Sequence, residues 1–183
     1  KIINIYNPVE IEMIDRLKRE TIDDLYIRND EKFIIGVGRL TEQKDFKTLI
    51  RAFHIVCKKI NSKLVILGKG PEEYELKKLC NSLGISDKVL FMGFKTNPYK
   101  YMYKADVFVL SSKWEGFGHV IVEAMATETP VISTNCNSGP AEIIKNNRYG
   151  ILTPVGQEKE LANEIINLLI DNEKNEKLAK LGR

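Results

Sequence analysis

Two carboxylates, Glu115 and Glu123, bracket the stretch "EGFGHVIVE", with Gly116 and Gly118 on either side of Phe117. On one continuous helix of 3.6 residues per turn the two would not quite share a face, and the glycines disfavour such a helix. A helix beginning near Gly118 leaves Glu115 on the preceding loop and Glu123 about a turn and a half in. Both carboxylates then reach one ligand resting on the helix N-terminus. A carboxylate accepts hydrogen bonds from hydroxyls, which suits a ribose or a sugar, while the N–H groups of a helix start receive phosphate. Taken singly, each has a plainer reading. Glu115 is a favourable charge beside a helix N-terminus, and Glu123 a solvated helix residue. Glu123 resists that reading because Val120, Ile121, Val122, Ala124, Met125 and Ala126 surround it. A helix apolar all round is buried, and a buried carboxylate requires a partner.

Arg39 and Lys44 stand on one loop after the apolar run "KFIIGVG". Two cations there could neutralise a diphosphate, Arg through its planar fork and Lys as a point charge. Alone, a solvated loop with Glu42 and Asp45 as partners explains them as well. The glycine patterns exclude two familiar phosphate sites. Gly36 and Gly38 are followed by Thr41, and Gly68 and Gly70 by Glu73, so neither completes G-x-G-x-x-G; no G-x-x-x-x-G-K-[ST] occurs. His54 reads as a packing or rim residue. At His119 the backbone N–H, at a helix start, matters more than the ring. Two distant histidines, with no acidic pair, predict no metal site. Trp114 reads equally as a lid or a core residue.

The elements that must position these residues follow from periodicity. Apolar strands at 32–38, 63–70, 88–93, 106–112, 130–135 and 149–155 alternate with helices at 46–60, 71–84, 118–128, 139–146 and 157–171, and with a short helix in "NPYKYMYKA". Leu49, Ile50, Phe53, Val56, Cys57 and Ile60 mark the apolar face of the first of these helices. Parallel strands need helical crossovers, so the pattern predicts a doubly wound, Rossmann-like α/β sheet covered on both faces. Ligands of such sheets bind beyond the carboxyl ends of the strands. Those ends carry "GVGRLTEQK", "GKGPEE", "GFKTN", "SSKWEGFG" and "NCNSGPAE", where the glycines concentrate.

The chain has 183 residues, 43% hydrophobic and 29% charged, with a net charge of +3. That fits one soluble domain and makes no demand for nucleic acid, though an anionic ligand or a membrane surface is compatible. Cys57, Cys80 and Cys136 form no CxxC and no even set, which fits a reducing cytoplasm. Residues 1–30 read as an incoming linker with a helix, and 31–183 as the domain proper. The opening "KIINIYNPVE" lacks a signal-peptide core and an initiator Met, and "KNEKLAKLGR" stops inside a helical pattern. The expectation is a piece of a longer protein.

The segments "VGRLTEQKDFKTLIRAF", "LVILGKGPEEYELKKL", "VLFMGFKTNPYKYMYKADVFVLSSKWEGFGHVIVEAMATETPVIST" and "SGPAEII" resemble the C-terminal domain of retaining group 1 glycosyltransferases, one half of the GT-B fold. The resemblance spans about residues 31–171, and its most specific part is the Glu-x7-Glu element. It implies that the domain binds a nucleotide-sugar donor and that an N-terminal domain, absent from this sequence, binds most of a saccharide or lipid-linked acceptor. It further implies that Arg39 and Lys44 hold the diphosphate and stabilise it as leaving group. Glu115 takes hydroxyls of the donor sugar, and backbone N–H groups of Phe117, Gly118 and His119 the sugar and phosphate. Glu123 binds the ribose, Gly93 and Phe94 lie against the base, and Gly70 lines the same cleft; Gly38 and Gly116 belong to the same donor loops. Family members generally work without a metal or other cofactor. The "SGPAEII" variant is similar to enzymes of bacterial surface polysaccharides or lipid-linked oligosaccharides, favouring UDP-hexose or UDP-N-acetylhexosamine. The setting implied is cytoplasmic, with peripheral membrane association of the full-length protein left open. A nucleotide-sugar epimerase of the same fold and a non-catalytic nucleotide-binding module are the competing readings. A nucleic-acid-binding domain is disfavoured by the lack of a basic stripe.

Overall fold

The computed structural model describes residues 9–183. Helix α1 (Ile11–Leu17) precedes strand β1 (Lys32–Val37). A 3-10 turn (Glu42–Lys44) leads into α2 (Phe46–Val56). Strands and helices then alternate through β2 (Ser62–Leu67), α3 (Glu73–Ser82), β3 (Val89–Gly93), α4 (Tyr99–Lys104), β4 (Val107–Leu110) and α5 (His119–Ala126). The chain ends with β5 (Val131–Thr134), α6 (Pro140–Ile144), β6 (Ile151–Thr153), α7 (Glu158–Ile170) and α8 (Asn172–Gly182).

All six strands pair in parallel, in the order β3-β2-β1-β4-β5-β6. The chain winds outward from β1 to β3, then returns past β1 to lay down β4, β5 and β6. The winding direction therefore reverses between β1 and β4, where Ile34 sits opposite Val107 and Ile35 opposite Phe108. This is the doubly wound, Rossmann-like arrangement that the alternation predicts.

Side chains alternate across each strand, so each strand feeds two cores. Ile34, Leu64, Ile66, Val107 and Val109 meet Leu49, Phe53, Ile165 and Leu168 under α2 and α7. Phe33, Ile35, Val65, Phe108 and Leu110 meet Met102, Ile121 and Met125 under α4 and α5. The apolar face read for α2 is the buried one: Leu49, Ile50, Phe53 and Val56 are fully buried. The helix stops at Val56, before Ile60, and the chain leaves it through a tighter turn in which the Lys59 N–H, three residues on, donates to the Val56 carbonyl at 2.9 Å. Likewise α6 ends at Ile144, since Lys145, Asn146 and Asn147 all take positive φ.

The described part of the expected linker is docked on the domain; its residues 1–8 lie outside the described residues. Ile14 is buried, and α1 rests on α4 and α5. Lys18, 2% exposed, is held by Asp15 at 2.9 Å and Glu128 at 2.8 Å. Arg183, after α8, binds the same two carboxylates, so the chain's approach and its far helix meet at Glu128.

Candidate functional site

The crevice between the β1 and β4 ends is built by two loops that hydrogen-bond to each other. Ser111 Oγ donates to the Lys44 carbonyl at 2.8 Å, the Lys113 N–H to the Gln43 carbonyl at 2.8 Å, and Gln43 Nε2 to the Trp114 carbonyl at 3.0 Å. These bonds bring together two residues read separately from the sequence. Lys44 Nζ lies 2.6 Å from Glu115 Oε1, the two side chains being 17% and 6% exposed. Ser112 Oγ donates to the same Oε1 at 2.5 Å, and its own carbonyl accepts from Thr134 Oγ1 at 2.6 Å. Both donors converge on one oxygen of Glu115. Among the described residues no donor reaches Oε2.

The plainer partners considered for the cations are engaged elsewhere. Glu42 takes Lys113 at 2.9 Å, and Asp45 caps α2, accepting from the Thr48 N–H at 3.3 Å and from Thr48 Oγ1 at 2.6 Å. Arg39 is exposed and, among the described residues, has no ion pair.

As expected, Glu115 lies on a loop and the helix begins just after Gly118, the N-cap of α5. The rings of Phe117 and His119 meet edge to face at 5.0 Å. Gly116 is exposed at the loop's outer turn. Gly139, with φ +83°, lies so close beneath that a Cβ there would stand 2.0 Å from the Phe117 carbonyl oxygen. Only glycine lets the start of α6 support this loop. Trp114, 49% exposed, is not a core residue; its backbone bridges to Asn137.

Glu123 is half-buried and has the partner its surroundings require. The Tyr99 hydroxyl donates to Glu123 Oε1 at 3.3 Å. Burial, then the charge of Glu123, pushes the Tyr99 phenol up to about 12, so it stays protonated as a donor. Sequence reasoning missed this residue. Its signal was a tyrosine at the first turn of the short helix after the "GFKTN" loop.

Beside the crevice, a cleft of about 650 Å³ opens over the ends of β1 and β2 and the loop after β3. Gly38, Arg39, Gly68, Lys69, Phe94 and Lys95 line it. Phe94 is 69% exposed and presents its ring to the opening. Gly68 takes φ +142°, and a Cβ there would stand 1.8 Å from the Gly38 carbonyl oxygen; the two loops approach backbone to backbone. Gly93 takes φ +69°, and its carbonyl accepts the Gly68 N–H at 2.8 Å. Gly70 packs against the Leu40 backbone, and is not among the residues lining this cleft. Lys69 and Lys95 were not singled out from the sequence, although Lys69 directly follows Gly68 and Lys95 stands two residues after Gly93, both at strand ends. A larger cleft of about 770 Å³ lies at the opposite edge, between residues 19–31 and the strands' amino ends. Ligands of open α/β sheets bind at the carboxyl edge, which favours the smaller one. Among the described residues no three His, Cys, Asp or Glu side chains gather as a metal site, and no helix is long and apolar enough to cross a membrane.

This architecture has known counterparts. Residues 18–183 match the family described as glycosyl transferases group 1, and the chain belongs to it. A relative from Campylobacter jejuni, N-acetylgalactosamine-N,N'-diacetylbacillosaminyl-diphospho-undecaprenol 4-alpha-N-acetylgalactosaminyltransferase, is 36% identical over 92% of this chain and 44% of its own length. The chain thus spans less than half of that relative. The crystal structure of Anabaena Alr3699/HepE in complex with UDP and glucose superposes with a TM-score of 0.79 at 28% identity, covering 84% of this chain and 42% of that one. The C-terminal domain of the group 1 glycosyl transferase LpcC from Francisella tularensis gives a TM-score of 0.74 at 28% identity, covering 83% of each chain. The fold is therefore the Rossmann-like half of a GT-B glycosyltransferase.

Proposed function

We propose that this chain is the donor-binding half of a retaining glycosyltransferase that moves a hexose or N-acetylhexosamine from a UDP-sugar to a saccharide or lipid-linked saccharide. The observation that carries the proposal is the Lys44–Glu115 pair at the β1/β4 crevice, just ahead of the N-terminus of α5. The UDP and glucose bound by the Anabaena protein, and the lipid-linked saccharide in the Campylobacter enzyme's name, support the choice of donor and acceptor.

In this reading Arg39 and Lys44 offset the charge that grows on the diphosphate as the bond from the anomeric carbon breaks. Fixed cations aimed at developing charge are the main source of rate in such a site. No metal ion is needed for that task. Glu115 Oε2, which no donor among the described residues reaches, accepts sugar hydroxyls. The N–H groups of Phe117, Gly118 and His119 lie at the α5 N-terminus, where the helix dipole favours phosphate. Glu123 takes the ribose, and Phe94 with Gly93 flanks the base. The acceptor arrives on a separate N-terminal domain. Work in the cytoplasm, at a membrane face when the acceptor is lipid-linked, fits this chemistry.

Calorimetry with a panel of nucleotides and nucleotide-sugars tests the reading. The 183-residue chain is expected to bind UDP and UDP-hexoses weakly and to transfer nothing at appreciable rate. Binding of another nucleotide in place of UDP would overturn the donor choice. Robust transfer by this chain alone would overturn the two-domain reading.

A further inference from the structure

Glu115 and Glu123 are held by different chemistry. Glu115 is met by a cation, Lys44, which offsets its charge. Glu123 is met by a neutral phenol, Tyr99, on one oxygen. Among the described residues Glu123 makes no ion pair and no donor reaches its Oε2. No cation among the described residues offsets the carboxylate there, and hydrogen bonds to ionised acceptors are about twice as strong as neutral ones. It can also turn, because the terminal torsion of a glutamate is broad and nearly two-fold. A donor fixed on Oε1 limits that freedom and leaves Oε2 available to a ligand hydroxyl.

Tyr99 is itself fixed. It opens α4, and its N–H donates to Asn97 Oδ1 at 3.1 Å. The Asn97 amide donates to the Leu17 carbonyl at 2.9 Å and to Glu20 at 2.8 Å. Pro98, between them, lines the cleft that Phe94 and Lys95 border. One turn therefore joins the cleft wall to the carboxylate.

We infer that Tyr99 is a positioning residue that orients Glu123 toward the ribose hydroxyls and so sets the preference for ribonucleotide donors. The inference rests on the assignment of Glu123 to the ribose. It assigns Tyr99 no contact with the ligand.

The test compares binding of UDP and 2′,3′-dideoxy-UDP by the full-length protein, its Tyr99→Phe variant and its Glu123→Gln variant. Wild type is expected to prefer UDP, and Glu123→Gln to lose most of that preference. Tyr99→Phe keeps the ring and its packing but lacks the hydroxyl. Its preference for UDP is expected to fall about 3–10-fold, the range of one hydrogen bond, while binding of the dideoxy nucleotide stays within two-fold or so. Equal weakening of both nucleotides would mark a merely structural role and overturn the inference. An unchanged preference in Tyr99→Phe, alongside a loss in Glu123→Gln, would overturn it while leaving the ribose assignment intact. An unchanged preference in Glu123→Gln would overturn the assignment and the inference together.

Discussion

At the scale of single residues, the pairing of Lys44 with Glu115 gives the two variants different signatures. Glu115→Gln in the full-length protein should not weaken UDP, because it releases Lys44 from its 2.6 Å partner. It should abolish the gain in affinity that a UDP-hexose shows over UDP. Lys44→Ala should weaken both ligands and lower kcat by roughly 10²–10³, the usual effect of deleting one charge-stabilising donor. Titration calorimetry and steady-state rates separate the two; equal loss of UDP binding in both variants would count against the division of labour. Both residues were legible as chemistry-bearing types, but their contact was not. They lie 71 positions apart, and only the β1–β4 register and the bonds between the two loops bring them together. The sequence-based partners Glu42 and Asp45 are nearer along the chain, yet a helix cap and Lys113 occupy them. Tyr99 was missed for the same reason, since its hydrogen bond to Glu123 spans two helices.

At the scale of elements, α1 is held to the domain through one lysine buried more deeply than either of its partners. The side chain of Lys18 is 2% exposed, against 32% for Asp15 and 43% for Glu128. Removing a partner from a buried charge costs more than removing the charge itself. Glu128→Ala should therefore destabilise by about 1–2 kcal/mol, below the cost for a fully buried pair because Asp15 remains and Glu128 is half in solvent. Lys18→Met should be close to neutral. The hydrogen bond from Lys18 is the main cause that holds both carboxyls below their ordinary values of 3.8 and 4.5. A depressed folded-state value means stability that is complete above the ordinary value and lost as pH falls through the depressed one. Thermal melting should thus drop on acidification below about pH 4.5 in the wild type, and less in Lys18→Met. Equal acid sensitivity of the two proteins would contradict this role. Strands were easy to read because apolar runs ending in glycine carry their own signal. The docking of α1 was not, since a lysine reads as a surface residue. The ends of α2 and α6 also fell short of the apolar pattern, which reports the buried face and not where the backbone turns.

At the scale of the whole molecule, six parallel strands put every carboxyl end on one edge, and that edge was legible from glycines clustered after the strands. What the alternation of strands and helices could not show is which strand lies at the centre. The order places β1, the first strand described, between β2 and β4. Its second edge stays open until β4 exists, and Phe33 and Asp106, which exchange hydrogen bonds there, are 73 residues apart. A ribosome adding about 5–20 residues per second needs roughly 4–15 s to cover that stretch. For that time the second edge of β1 is an unpaired apolar edge, joined first by β2 and, over the last part, by β3 into half a sheet, a template for pairing with other chains. A chain stopped at Ala105 should accordingly pellet on centrifugation, whereas a soluble monomer of that length would show that the half-sheet protects itself. The same placement that sets the Lys44–Glu115 crevice beside β1 makes the growing chain depend on pace: slow synthesis between residues 37 and 107 prolongs the time in which this edge is sticky.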